Sequence, residues 1–303
     1  MSSPLLRRAC SALVVCLALS FTGAPLAASA AAPAALPPLP APLGVPTPGP
    51  KTDGPYAPQP ILPGGVVVPL YPPGSPELDP EKVREPEVYQ MWGPTLLGAV
   101  VSIHNPSIEF HAGHSQLNTG AAIILAAGGG HRSLNVGSEA APFVPFFANH
   151  GINTIILRNR LRSDGYDPRV HGVNDALQAV KLVRAYAKEW NLDPEKIGLV
   201  GFSAGAELAA AASLFWEEFD RKHDVPGNPF AKVSSRPDFQ GIIYPGPSPF
   251  ARGGNPPIPR ATPPAFIATP GWGDRMHAIW ATEYFNALLY DGVPNVEMHI
   301  YAR

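Results

Sequence analysis

The short apolar run Ile197-Gly-Leu-Val200 passes into the alanine-rich helical pattern of 204–219 through Gly201-Phe-Ser203-Ala-Gly205, with no residues left over for an ordinary loop. A strand that turns this sharply into a helix needs glycines on both sides of the turn, where they leave room for a strained backbone. The serine hydroxyl is then exposed, and the following N–H, that of Ala204, aims at the oxygen of an attacked carbonyl. Ser203 is the candidate nucleophile. The competing reading is an ordinary helix-capping serine.

Short buried runs alternate with helical patterns from about Glu81 onward. Segments 97–103 and 107–111 read as an antiparallel pair broken at Asn105-Pro106, and 121–126, 154–157, 197–200, 241–244, 265–268 and 296–300 as further strands. Helical patterns cover 141–149, 204–219, 276–290 and 173–190, where Ala176, Ala179, Val180, Val183 and Ala187 share one face. This alternation predicts an α/β fold with a mostly parallel central sheet flanked by helices. The stretch 220–264 is rich in Pro, Gly and Asn and is mainly loop, at the sheet edge where ligands bind.

The N-terminal part has another composition. Arg7 and Arg8 precede an apolar run over 9–21, and Ala28-Ser29-Ala30 has the small residues that signal peptidase accepts, so 1–30 reads as a cleaved signal peptide. The run falls short of the ~20 apolar residues needed to span a bilayer, so no membrane span is expected after cleavage. The expected location is secreted or periplasmic. Cys10 and Cys16 are the only cysteines and both lie in this segment, leaving the exported chain without a disulfide. From 31 to 80 about a third of the residues are proline, which predicts a disordered linker, with the folded domain at 81–303. Loss of Arg7 and Arg8 would shift the formal charge of −2 to about −4, which offers nothing to a nucleic-acid partner.

Ala127-Gly128-Gly129-Gly130-His131 directly follows the strand at 121–126. Its glycines let backbone approach a substrate, and the N–H groups of Gly129 and Gly130 are candidate second donors to an oxyanion. A phosphate-binding loop is disfavoured because no Lys-Ser/Thr pair follows and the dinucleotide glycine spacing is absent. Pro270-Gly-Trp-Gly-Asp274 follows a late strand and makes Asp274 the candidate acid that orients an imidazole, whereas Asp291 reads as a turn residue. His131 and Trp272 are candidate substrate contacts, although Trp272 could equally pack on its loop. His111-Ala-Gly-His114 lacks a third ligand, so neither a metal nor a cofactor is expected. In chain order Ser, Asp, His, the base belongs after the strand at 296–300, yet Tyr301, Ala302 and Arg303 supply no histidine. His299 lies within that strand and reads as structural. His277, three residues past Asp274, could contact that carboxylate as a substitute base.

The set Ala127-Gly-Gly-Gly-His131-Arg, Leu157-Arg-Asn-Arg-Leu161, Asp175-Ala-Leu-Gln-Ala-Val-Lys-Leu-Val-Arg184, Asp193-Pro-Glu-Lys-Ile-Gly198, Gly201-Phe-Ser-Ala-Gly205 and Glu297-Met-His-Ile-Tyr301 resembles secreted bacterial α/β-hydrolases of the acetylxylan-esterase-like, or BD-FAE, type. The resemblance runs from about residue 95 to the end. It implies an α/β-hydrolase fold with Ser203 as nucleophile, Asp274 as acid and Gly128 to Gly130 as oxyanion loop. In that family the segment matching 297–303 is followed by Gly-Gly-His-Gly, which carries the base, and by a final helix. The sequence is therefore expected to lack that histidine loop and helix. The implied function is a secreted serine esterase that cleaves acetyl or other acyl esters through a Ser203 acyl-enzyme, on small molecules, xylan or another plant polysaccharide. The alternatives are a non-catalytic remnant of this fold and a serine peptidase.

Overall fold

A computed structural model describes residues 49, 53–94, 96–225 and 228–302. The strands are β1 (Val66–Pro69), β2 (Val88–Met91), β3 (Leu97–Val101), β4 (Ser107–His111), β5 (Ala122–Ala126), β6 (Asn153–Arg158), β7 (Ile197–Phe202), β8 (Phe239–Ile243), β9 (Ala265–Pro270) and β10 (Val296–Tyr301). The α-helices are α1 (Val136–Glu139), α2 (Phe143–Ala148), α3 (Val173–Ala185), α4 (Ala204–His223) and α5 (Arg275–Tyr290). Eight strands form one sheet in the order β1-β4-β6-β5-β7-β8-β9-β10, while β2 and β3 pair separately. From β6 to β10 all neighbours are parallel; β1 and β4 are antiparallel additions at one edge.

The parallel centre follows from strands that are apolar on both faces. On β5, Ile124 and Ala126 join a core with Ala176, Ala179, Val180 and Val183 of α3, Ala206, Ala209 and Ala210 of α4, and Ala281 and Tyr284 of α5. Ile123 and Leu125 point the other way and pack with Leu97, Val136, Ile156 and Phe202. Alanine lets α3 and α4 approach each other and the sheet closely. At the far edge β10 pairs with β9 alone among the described residues, and Phe266, Ile300 and Tyr301 are exposed there. No helix among the described residues is long and apolar enough to cross a membrane.

Two expectations need correction. The segments 97–103 and 107–111 do not pair with each other: β3 joins β2, and β4 joins β1 and β6. Neighbourhood in sequence misleads here because β2 arrives from the proline-rich side. The boundary at residue 81 is also displaced, because much of 53–80 belongs to the fold. Tyr56, Ile61, Leu70, Tyr71 and Leu78 are buried, and β1 completes the sheet edge. Prolines space this segment without stopping it from pairing, since an edge strand loses little by lacking one donor. The signal-peptide reading of 1–30 and the linker reading of 31–48 lie outside the described residues.

Buried charge fixes the segment in place. Glu109 on β4 accepts the N–H groups of Ile61 and Leu62 at 2.8 and 3.0 Å. Arg158 at the end of β6, fully buried, donates to the Gln59 carbonyl at 2.8 Å and pairs with Glu87 at 2.9 Å and Glu109 at 3.5 Å. Burial draws the Arg158 pKa down, but Glu87 and Glu109 more than offset this and leave it raised. Two residues on, Arg160 holds Asp175 of α3 at 2.7 Å and the Glu77 carbonyl at 2.6 Å, and Tyr71 Oη–H reaches the same Asp175 at 3.1 Å. These pairs are costly to desolvate, and they cost more when only one partner is left.

Arg158→Met is expected to lower the unfolding free energy in urea by about 3–5 kcal/mol, because Glu87 and Glu109 stay buried without their counter-charge. His104 gives a pH signature. Burial holds its pKa below the ordinary 6.5, against the opposing pull of Asp164 and Glu85, and its Nδ1 meets Tyr166 Oη at 3.0 Å. The unfolded chain thus binds the His104 proton more readily than the folded one, and stability present above pH 6.5 is lost as pH falls toward the depressed value. Denaturation of wild type and His104→Gln from pH 8 to 5 should show the wild type losing more stability on acidification; parallel curves would contradict it.

Candidate active site

Ser203 stands at the point where β7 ends and α4 begins, with φ 49° and ψ −118°, a left-handed backbone that a serine adopts only under constraint. The constraint is packing. A Cβ on Gly201 would lie 2.2 Å from the Gly205 carbonyl oxygen, and one on Gly205 would lie 2.0 Å from that of Ala126. The Ser203 N–H is held by the Ile243 carbonyl of β8 at 2.9 Å, and its own carbonyl accepts Ala206 N–H at 3.0 Å. The side chain itself is half-buried.

The glycine loop after β5 lies against this turn. A Cβ on Gly128 would be 2.7 Å from the Phe202 carbonyl oxygen and 2.9 Å from Ser203 Cβ, so only glycine permits the approach. Gly129 and Gly130 have φ of 128° and 62°. Among the described residues the N–H groups of Gly129, Gly130 and Ala204 donate to no protein acceptor. The three expected donors are therefore uncommitted. Gly128 differs, since its N–H donates to Glu139 Oε2 at 2.5 Å. Glu139 Oε1 in turn accepts the Tyr244 hydroxyl at 2.9 Å. Burial and then the adjacent Glu139 carboxylate push the Tyr244 pKa well up, so that hydroxyl remains a donor.

His131, buried and also left-handed at φ 59°, shares a 3.1 Å hydrogen bond with Glu207, one helical turn beyond Ser203. Both line a cavity of about 1020 Å³. Asp274 caps the start of α5 and its Oδ2 meets His277 Nδ1 at 2.5 Å. The His277 ring lies edge-on to Tyr244, 6.2 Å between centroids. Tyr244 thus stands between the Asp274–His277 pair and the Gly128 turn. Trp272 is 77% exposed and lines neither this cavity nor the smaller one beside α5. Its ring stands largely in solvent between Gly271 and Gly273. His299 lies on the exposed face of β10 between Phe266 and Tyr301 and bonds to Glu297.

Sequence reasoning missed Glu207, Glu139 and Tyr244. Glu207 carried a signal, its i+4 spacing from Ser203 on a helix. Glu139 and Tyr244 are 105 residues apart and met only through the fold.

The sheet order, the strand-turn-helix serine and the glycine loop invite comparison with known proteins. Residues 111–243 match the BD-FAE family. An acetylxylan esterase of Xylanibacter ruminicola is 29% identical over 127 residues, 42% of this chain and 23% of that protein. An endo-1,4-beta-xylanase B of Butyrivibrio fibrisolvens is 31% identical over 100 residues, 33% of this chain and 15% of that one. The chain thus spans less than a quarter of the length of these two relatives. Among solved structures, an acetyl ester-xyloside bifunctional hydrolase from Caldicellulosiruptor lactoaceticus superposes with a TM-score of 0.59 at 25% identity, over 79% of this chain and 86% of that one. A thermophilic esterase from Thermogutta terrifontis superposes at 0.54 and 19% identity, over 65% and 78%, a likeness of fold. Sequence and architecture agree: the chain has the α/β-hydrolase fold, and its residues 111–243 are similar to the BD-FAE family.

Proposed function

We propose that this protein is a serine ester hydrolase that removes acetyl or similarly small acyl groups from a plant polysaccharide such as xylan, acting outside the cytoplasm after export by residues 1–30. The observation that carries the reading is the strained Ser203 with three uncommitted N–H donors around it, on a fold shared with ester hydrolases. In the proposed cycle an imidazole takes the Ser203 proton as Oγ attacks the ester carbonyl. The N–H groups of Gly129 or Gly130 and Ala204 receive the oxyanion, the alcohol leaves with the proton, and water then attacks the acyl-enzyme with the same imidazole as base. Asp274 orients that imidazole.

A second reading makes His277 the base, favoured by its contact with Asp274. One experiment addresses both. Ser203→Ala should lower kcat/KM on p-nitrophenyl acetate by on the order of 10³- to 10⁶-fold and abolish labelling by a fluorophosphonate. If His277→Gln falls equally far, His277 is the base; retained turnover removes it from that role. Undiminished turnover by Ser203→Ala would overturn the serine mechanism, and cleavage of peptide amides with none of esters would replace the esterase by a peptidase.

Tyr244→Phe tests the clamp on the glycine loop. Removal of the hydroxyl frees Glu139 and loosens Gly128 without touching substrate. We expect kcat to fall about tenfold with KM nearly unchanged, well short of the roughly 10²- to 10³-fold cost of losing a direct oxyanion donor. A change confined to KM would count against this positioning role.

A further inference from the structure

The cavity beside the glycine loop is larger than an acetyl group requires. At about 1020 Å³ it matches the upper end of the roughly 300–1,000 Å³ range of small-molecule sites, whereas an acetyl group has only three heavy atoms. The cavity is lined by Gly130 and His131 of the oxyanion loop and by Glu207, one helical turn beyond Ser203, but not by Ser203 itself. It therefore lies beside the nucleophile, where the alcohol part of an ester would extend. Gly130 and His131 form one wall, Glu207, Leu208, Ala211 and Phe215 of α4 another, and the loop from Pro247 to Arg252 a third. Arg162, Tyr166 and Arg169 also line it. Tyr166 and Phe215 offer aromatic surface of the kind on which sugar rings pack.

Three guanidinium groups border this space, and they are not equivalent. Arg169 is neutralised by Asp167, through Nε–H at 3.3 Å and Nη2–H at 3.2 Å. Glu207, the other carboxylate in the lining, is committed to His131. The guanidinium groups of Arg162 and Arg252 have no hydrogen bond or ion pair among the described residues. Exposed arginines are common, but these two have features that ordinary solvated ones lack. The Arg162 N–H is tied to the His131 carbonyl at 2.8 Å, which couples its position to the oxyanion loop. Arg252 has φ 58° and ψ 33°, immediately before Gly253 and Gly254. A turn of that geometry favours glycine, so backbone convenience does not explain the arginine. Its side chain lines the cavity.

We propose that Arg162 and Arg252 bind the carboxylate of a uronic-acid unit in the alcohol part of the substrate, so that the preferred substrate is an acetylated acidic oligosaccharide. This rests on the ester-hydrolase reading and names its substrate class. Planar guanidinium groups accept a carboxylate through paired N–H donors, a geometry that lysine does not reproduce. The carboxylate replaces the counter-charge that the protein itself does not provide, and the Tyr166 and Phe215 rings receive the neighbouring sugars.

The test uses the full chain in two formats. In the first, calorimetry measures binding of deacetylated xylo-oligosaccharides, with and without a uronic-acid branch, to Ser203→Ala, which needs no turnover. The second compares kcat/KM for the acetylated forms of the same sugars in the wild type, in Arg162→Gln/Arg252→Gln and in the corresponding double lysine variant. We expect the wild-type sites to favour the acidic sugar by about tenfold, the scale of one charge-assisted hydrogen bond, and the double glutamine variant to lose that ratio. The lysine variant should recover it only in part, and raised salt should reduce it. Equal binding of acidic and neutral sugars, or a preference that survives in the double glutamine variant, would overturn the proposal. An arginine-dependent preference for p-nitrophenyl hemisuccinate over the acetate, with none among the sugars, would place the carboxylate on the acyl side and overturn the assignment to the alcohol. Arginine-dependent binding of the acidic sugar with no ester turnover would sink the esterase reading while supporting the site.

Discussion

Everything in the site depends on how closely three pieces of backbone can meet. The α4 helix starts so near β5 that a side chain on Gly205 would strike the Ala126 carbonyl, and the loop leaving β5 passes so near Ser203 that Gly128 can carry none either. Those two approaches are consequences of one arrangement, since β5 and β7 are adjacent parallel strands whose ends lie side by side. The register Ala126↔Gly201 puts the ends of both strands level, so the glycine loop and the serine turn emerge together. Strain at Ser203 is then held by neighbours on both sides, by α4 and by the Ile243 carbonyl of β8.

Buried charge does the complementary task at the other edge of the sheet. Arg158 and Arg160 alternate along the end of β6 and the residues that follow, so one reaches Glu87 and Glu109 while the other reaches Asp175. Ion pairs of this kind contribute less to net stability than to uniqueness, because desolvation offsets much of their attraction. Here they decide which path the proline-rich segment takes. Arg160 also stands over Tyr166, with Lys82 on the same ring, so the charge that anchors the N-terminal segment fixes an aromatic wall of the cavity.

Much of this was legible in the sequence. Short runs that are apolar on both faces gave the parallel strands from β5 to β10 within a residue or two, and the glycine spacing around Ser203 gave the sharp turn. These signals are local, set by backbone sterics and burial. What was not legible required long-range contact. Proline content made 53–80 look like a spacer, although carboxylates and guanidinium groups far along the chain capture it. Adjacent strands 97–101 and 107–111 looked paired, although each finds a partner elsewhere. Trp272, between two glycines, read equally as a pocket wall or as loop packing, and its ring is 77% exposed. No pattern announced that Glu139 and Tyr244 would meet.

That last contact bears on a difficulty any site of this kind must solve. Two carboxylates, Glu139 and Glu207, flank a loop that in the proposed reaction must receive a developing negative charge, and bare carboxylates there would oppose it. Neither is bare. Glu139 takes the Gly128 N–H and the Tyr244 hydroxyl, and Glu207 takes the His131 ring. The arrangement also decides which amides are available. With Gly128 N–H committed to Glu139, the loop is pinned one residue ahead of Gly129 and Gly130, whose own N–H groups donate to no acceptor among the described residues. Donors fixed in advance by such a clamp need not reorganise as charge forms, which is the condition under which backbone dipoles stabilise a transition state more than water does.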